Sequence, residues 1–456
     1  METALKTGAN PQVSWKSIFT LAFPITMQSL FQSSFSVIDQ FMVGQLGTAS
    51  VAAIGLGANF PNIFTFTLAA IGTAASIMLA QYCGVHDREN VNHSFLSNVL
   101  SAAAVMLVFL LPSLILPTAI IGLYTTDRTV IPLATNYLQV VSVSFPAMVV
   151  TTMLSTLLRN TGKANVPMIT GILSVAMNTV LNYLLIFGNF GLPALGVAGS
   201  ALATDIARYL EALLLFIILL NGQKKAEYKV RPEIRVPKAI LRQTLLIASP
   251  VVLNEFLWAV GQTAYAVVYG RMGTDEMAAM TLTYPIQGLS TGLFSGISTA
   301  AAIMVGNFLG QDDNPEAYRL SVRFIRVGIV GSLIAGLVLG VFANVYPHLF
   351  QVSQDVKNYC TDILYVFAAV LFVKVSNMIL GGGILRCGGK TKYTLFLDVF
   401  GTWAVGVPMG FLAAYALHLP VYWVYFMISL EEVVRLGLEF WIFKSHKWME
   451  NLTAAG

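Results

Sequence analysis

The sequence predicts an all-α integral membrane protein: twelve transmembrane helices in two six-helix bundles, related by a pseudo-two-fold axis along the membrane normal. Three observations carry this expectation. The chain of 456 residues is 56% apolar and only 11% charged, where a soluble domain carries about 25% charge. Apolar runs of the ~20 residues needed to cross a ~30 Å hydrocarbon core recur from end to end. A single register then repeats the first half of the chain in the second. With no water in the bilayer to satisfy the backbone, the apolar runs must be helices.

In chain order, helix 1 is expected near 16–41, helix 2 near 51–83, helix 3 near 95–121 and helix 4 near 133–158. Helix 5 follows near 167–188 and helix 6 near 196–221. Helices 7, 8 and 9 are placed near 244–270, 278–309 and 320–346, and helices 10, 11 and 12 near 358–385, 394–417 and 421–443. Helices 2 and 8 exceed one perpendicular crossing, so they must tilt or project beyond the membrane. Pro24, Pro61, Pro250 and Pro285 fall inside these runs and are expected to interrupt and bend them. The polar start, Met1 to Ser14, has no cleavable leader pattern, so helix 1 is read as staying in the membrane.

Basic residues set the expected orientation. Placing the N-terminus inside puts Lys6, Lys16, Arg159, Lys163, Arg323, Lys390 and Lys444 on one side, together with the basic connector from Gly222 to Gln243. The other side keeps Arg128, Arg271 and Lys357. This asymmetry puts both termini in the cytoplasm and the protein in the plasma (inner) membrane as a multi-pass chain. The connector is broken by Pro232 and Pro237 and divides the chain into an N-terminal lobe, 1–221, and a C-terminal lobe, 244–456, around a linker at 222–243.

Across that linker Pro24 pairs with Pro250, Gly44 with Gly270, Gly47 with Gly273, Gly84 with Gly310 and Asp87 with Asp313, all at an offset of 226. Later Arg159 matches Arg386 and Arg208 matches Arg435, the offset having grown by one. Six spans per repeat bring both halves into the bilayer with the same orientation, which yields the axis along the normal. A body of this kind can rock about its midline.

Net charge is +4 and gives no footprint for nucleic acid. Cys83, Cys360 and Cys387 have neither disulfide nor metal spacing, and the five histidines form no constellation. No cofactor is expected. An integral-membrane enzyme would instead cluster His, Asp or Cys at one membrane face.

Several stretches carry a family likeness. They are Asp39-Gln-Phe-Met-Val-Gly44-Gln-Leu-Gly47, Gln81-Tyr-Cys-Gly84, Leu158-Arg159-Asn-Thr-Gly162, and Asn178-Thr-Val-Leu-Asn182. Gly196-Val-Ala-Gly199 follows with Thr204 and Arg208, then Asn254-Glu255 and Leu385-Arg386-Cys-Gly388-Gly389. In order and spacing the chain resembles the multidrug and toxic compound extrusion (MATE) antiporters over nearly its whole length. The resemblance implies a drug/proton or drug/sodium exchanger with a central cavity. It also implies a cation site in the first lobe, where Asp39 is joined by Asn178, Asn182 and Thr204. Several relatives have a second aspartate where Asn182 stands. That departure weakens a sodium site at Asp39 and leaves proton coupling intact. The loop Gly84-Val-His-Asp87-Arg-Glu89-Asn lacks the basic motif of the major facilitator group.

The residues point the same way on their own chemistry. Asp39 and Glu255 sit in runs suited to lipid, where a carboxylate costs roughly 2.5–3.5 kcal/mol at the helix centre on insertion scales, so such groups face cavities and serve ion pathways. Asn178 and Asn182 share one helix face. Lys374, near the middle of helix 10, is expected to pair with Glu255 or with Asp398 on helix 11. Arg159 and Arg386 read as helix C-caps, and Glu431, Glu432 and Arg435 as charge pairs toward the cytoplasmic end of helix 12. A wall for bulky cations is expected from Gln28, Phe31, Gln32 and Phe35 on helix 1, Gln262 and Tyr265 on helix 7, and Tyr284 and Gln287 on helix 8. The expectation is a monomeric antiporter, embedded in lipid, that exports small organic cations by alternating access. The rival is a flippase for lipid-linked precursors, which calls for a more cationic cavity.

Overall fold

The computed structural model describes residues 15–46, 48–125, 128–191, 193–222, 236–350 and 352–453. At 33, 35–41, 43, 44, 48, 49, 51 and 52 it describes the backbone alone. Among the described residues there are helices and no strands. The helices are α1 (Trp15–Gly44), α2 (Thr48–Gly84), α3 (Arg88–Ile115) and α4, built from Val130–Ser142 and Phe145–Asn160. Next come α5 (Asn165–Phe187), α6 (Val197–Gly222), α7 (Lys238–Met272), α8 (Thr274–Gly310) and α9 (Asn314–Phe342). The series ends with α10 (Gln354–Leu385), α11 (Thr391–Ala416) and α12 (Val421–Lys444). Among the described residues, eight helices are individually long and apolar enough to cross a membrane, and the two parts of α4 together make a ninth.

The largest departures from the expected boundaries are at helix starts. α3 begins at Arg88 and α9 at Asn314, about two turns before their apolar runs, because Asp87 and Asp313 cap them. Asp87 accepts from the Asn90 amide at 3.0 Å and Asp313 from the Glu316 amide at 3.1 Å. These caps stand at equivalent positions of the repeat, each typically worth ~1 kcal/mol, and hydropathy does not register them. The four prolines do not interrupt their helices: Pro24, Pro61, Pro250 and Pro285 all lie inside continuous α-helix. The break falls in α4 instead, where the two parts meet at 44°. Pro146 in the first turn of the second part has no N–H to continue the ladder. π-helical turns at Met378–Leu385 in α10, and at Phe400–Gly406 and Leu412–Ala416 in α11, leave no trace in the hydropathy pattern.

The helices group into two compact units. The first bundle comprises Met27–Leu79 and His86–Ala248; the second comprises Ser249–Gly456 together with α1 as far as Thr26 and with Ala80–Val85. Within the second bundle, the end of α2 crosses the end of α8 by a self-complementary contact. Gly84 lies against the Asn307 carbonyl and Gly310 against the Gln81 carbonyl. Residue 307 is the repeat equivalent of 81, and 310 of 84, so the same glycine-on-carbonyl contact is made twice about a local two-fold.

The segment after α12 closes over this crossing. Gln81 is fully buried; its amide donates to the carbonyls of Cys387 (2.9 Å) and Glu450 (3.1 Å) and accepts from the Leu452 amide (2.7 Å). Trp448, also fully buried, stacks on Phe443, which stacks in turn on Tyr318 of α9.

A methyl group at either crossing glycine would strike a backbone carbonyl, whereas one at Gly340 meets open space. Gly84→Ala and Gly310→Ala should each cost about 1–3 kcal/mol by overpacking, and Gly340→Ala next to nothing. Thermal melting of the purified protein in detergent is the check.

Candidate functional site

The second bundle contains a cavity of about 560 Å³ among α7, α8, α10, α11 and α12. Trp258, Tyr265, Tyr269, Tyr284, Phe367 and Tyr425 supply an aromatic wall, with Gln262 and Gln287 as polar positions on it. Gln287 is oriented by Thr283, to which its amide donates at 2.9 Å, and it accepts from the Tyr425 hydroxyl at 3.2 Å.

A chain of charges runs along the cavity wall. Arg386 donates to Glu255 at 3.4 Å and to Asp398 at 3.2 Å. Asp398 also takes Arg435 at 3.2 Å and the Asn254 amide at 2.7 Å. Arg435 reaches Glu432 with one nitrogen and has Glu439 3.9 Å from its Nε. Glu432 takes Lys374 at 3.1 Å and the Asn377 amide at 2.6 Å. The Tyr265 hydroxyl donates to Glu431. Five carboxyl groups thus meet three basic groups in one largely buried network.

Local sequence makes this arrangement. Glu431, Glu432, Arg435 and Glu439 project inward from one side of α12 through spacings of three, four and eight. The π turn in α10 carries Gly381 beneath the Glu439 carboxylate, and Gly406 lies beneath Tyr265 and Glu431. A side chain at either glycine would overlap those groups.

The structure revises several expected pairings. Lys374 bonds neither Glu255 nor Asp398; it bonds Glu432 and joins the other two only through Glu432 and Arg435. The reason is depth along α10: twelve residues of helix, roughly 18 Å, separate Lys374 from Arg386, and Glu255 and Asp398 lie at the Arg386 level. Arg386 stands at the C-terminal cap position of α10, as expected, but its side chain turns into the charge network. Glu431, Glu432 and Arg435 are not at the end of α12 but in its middle turns, facing the cavity. The signal for them was available: Glu431, Glu432, Arg435 and Glu439, inside one 24-residue span, cannot all face lipid.

In the first bundle, Asn178 donates to the Thr204 hydroxyl at 3.3 Å and Asn182 donates to Asn178 at 3.2 Å, so these three residues come together. The side chains of Asp39 and Phe35 lie outside the described residues. Gln28 is buried and accepts from Arg159 at 2.6 Å, so Arg159, in the last turn of α4, also has an internal partner. Phe31 and Gln32 are exposed in this bundle. Of the expected cation wall, Gln262, Tyr265, Tyr284 and Gln287 line the second-bundle cavity. The Arg159–Gln28 and Arg386–Glu255 bonds each span 131 residues of chain. The two arginines are repeat equivalents but their partners are not: at the offset of 226 that relates these first helices, Gln28 pairs with Asn254 and Glu255 with Ser29.

The MatE family model matches the chain twice, at residues 24–184 and 250–412, once for each repeat. The chain belongs to the MATE family of transporters. It is 26% identical over 407 residues to the probable multidrug resistance protein NorM of Photorhabdus laumondii subsp. laumondii, covering 88% of this chain and 87% of that one. It is likewise 26% identical to the probable multidrug resistance protein YoeA of Bacillus subtilis, covering 89% and 88%. Its fold matches the outward-facing conformation of a multidrug resistance MATE family transporter with a TM-score of 0.87 at 19% identity, over 95% of this chain and 96% of that one. The twelve-helix, two-bundle MATE fold and the apolar spans make this a multi-pass membrane protein. As a MATE-family protein it is a transporter and not an enzyme, it handles small molecules, and it needs no cofactor.

Removing one partner from a buried ion pair typically costs ~3–5 kcal/mol because the other charge stays buried. Asp398→Asn leaves Arg386 and Arg435 both short of a carboxylate, so it should lower detergent stability by roughly that amount. The exposed Asp275→Asn should shift it by no more than ~0.5 kcal/mol. Denaturation midpoints of the two variants separate these outcomes.

Proposed function

We propose that this MATE-family protein is a secondary antiporter that exports amphipathic organic cations in exchange for protons or sodium by alternating access. The observation that carries this reading is the second-bundle cavity, whose aromatic wall is joined by five carboxyl groups against three basic ones. Aromatic faces and surplus carboxyl groups attract a lipophilic cation, and the wall offers the apolar surface its rings need. A flippase for a lipid-linked pyrophosphate would call for the opposite charge balance. The 26% identity to a probable NorM multidrug resistance protein supports the same substrate class.

In this reading the N-terminal lobe, 1–221, and the C-terminal lobe, 244–456, work as a monomer in the inner membrane with both termini cytoplasmic. Asp39, Asn178, Asn182 and Thr204 form the coupling site of the first lobe. Glu255, Lys374 and Asp398 belong to the charge network of the second. Gln28, Phe31, Gln32 and Phe35 contribute from the first lobe to the substrate path, and Gln262, Tyr265, Tyr284 and Gln287 from the second.

The test is reconstitution in liposomes preloaded with a fluorescent organic cation, with proton and sodium gradients imposed separately. Dye should leave faster under one of the gradients, and Asp39→Asn should abolish that acceleration. Equal efflux with and without both gradients would overturn the proposal.

A further inference from the structure

The register of the repeat pairs Asp39 of α1 with Tyr265 of α7 at an offset of 226, and Thr204 of α6 with Glu431 of α12 at an offset of 227. By sequence alone, the acid of the first bundle has no counterpart in the second. In the structure, the Tyr265 hydroxyl donates to the Glu431 carboxyl inside the cavity. The helix pair that carries aspartate and threonine in the first bundle carries tyrosine and glutamate in the second. In the sequence register each copy thus has one acid in this pair of positions, on the first helix in one copy and on the last in the other.

Glu431 also stands apart in its charge balance. Lys374 and Arg435 hold Glu432, Arg386 and Arg435 hold Asp398, and Arg386 holds Glu255. Glu439 has Arg435 at 3.9 Å and a buried Oε2 with no hydrogen-bond partner among the described residues. Three bases are thus committed to the carboxylates around them. Among the described residues, no lysine or arginine nitrogen lies within 4.0 Å of Glu431, which is 6% exposed. Beyond that distance Arg435 and the neighbouring Glu432 on its own helix and Lys374 on α10 still act on it electrostatically, and Tyr269 on α7, Tyr284 on α8 and Tyr425 on its own helix line the same cavity. A carboxylate so buried, and without a cation in direct contact, is costly in a membrane interior. Gly406 provides the space that Tyr265 and Glu431 occupy, and any side chain there would displace them.

We propose that Glu431 is the proton-carrying group of the second bundle, and that a lipophilic organic cation entering this cavity displaces its proton. The inference rests on the antiporter reading given above and deepens it. In the empty cavity Glu431 is a neutral acid. Its Oε2 accepts from Tyr265, which places the acidic proton on Oε1. When the organic cation binds, the O–H bond breaks, the proton leaves to water, and the carboxylate that remains balances the arriving charge. Re-entry of one proton reverses the step and releases the cation. Cation binding therefore weakens as pH falls.

The experiment uses the full-length protein in detergent, weakly buffered, with a pH-indicator dye and tetraphenylphosphonium as the probe. The wild type should release protons on binding, and its affinity should fall about tenfold per pH unit below the titration midpoint, the slope of one proton exchanged per cation. Glu431→Gln should bind with little pH dependence and release less proton. Glu431→Asp, which keeps a carboxyl, should restore release with a displaced midpoint. Infrared difference spectra of the wild type supply a readout that needs no variant to fold: tetraphenylphosphonium should remove a protonated carboxyl C=O band, and Glu431→Gln should lack that band.

If Glu431→Gln keeps the wild-type pH dependence, or the wild-type band does not change on binding, Glu431 is not the carrier. If the wild type neither binds the probe nor responds to either gradient in liposomes, the antiporter reading itself fails.

Discussion

A charge taken out of water in a bilayer must meet an opposite charge or give up its proton. The second bundle is arranged around that constraint. Arg386 and Arg435 share Asp398, and each then reaches a further carboxylate, Glu255 for one and Glu432 for the other, with Lys374 closing the far end. No member can be placed without its neighbours. α7, α10, α11 and α12 each contribute at least one charge, so the network positions four helices as well as it shapes the cavity. The same demand explains the glycines beneath it: Gly381 and Gly406 clear the space that Glu439, Tyr265 and Glu431 fill.

The duplicated register supplies a frame on which the two copies differ in chemistry. The equivalent arginines Arg159 and Arg386 both reach the first helix of their own repeat, but at neighbouring register positions, Gln28 in one and Glu255, the equivalent of Ser29, in the other. In the first copy the arginine meets an amide; in the second it meets a carboxylate and becomes one member of a charge chain. The crossing of α2 and α8 keeps its symmetry in the backbone, glycine on carbonyl in both directions. Its side chains do not. Gln81 is bonded by Cys387 and by the segment after α12, while the Oδ1 of its equivalent, Asn307, is buried with no hydrogen-bond partner among the described residues. The segment that serves Gln81 lies beyond the last helix of the second repeat, where the first repeat has its connector.

Reading the sequence succeeded where one-dimensional pattern is enough. Spans of apolar residues located all twelve helices, and the single offset of 226–227 revealed the duplication that the MatE match at 24–184 and 250–412 reproduces. Pattern failed where a side chain chooses its partner. The sequence points Lys374 to Glu255 or Asp398, whereas its partner in the structure is Glu432, which lies in the middle of α12 and not toward its cytoplasmic end. Arg386 ends its helix before a glycine pair, as the sequence indicates, but nothing in that pattern shows that its side chain meets Glu255 and Asp398. The helix starts at Arg88 and Asn314 were missed because capping aspartates and polar first turns carry no hydropathy.

The sequence by itself determined the class of the protein, the number of its spans, their repeat and the family they belong to. Each of these follows from the composition a bilayer demands of a helix and from a register visible in one dimension. Only the tertiary structure decided which charges meet. Glu431 reaches Tyr265, and Lys374 reaches Glu432, because helices 58 to 166 residues apart in the chain pack at matched depths. Electrostatic pairing acts over a few ångströms of space. The hydropathy along the chain does not record it.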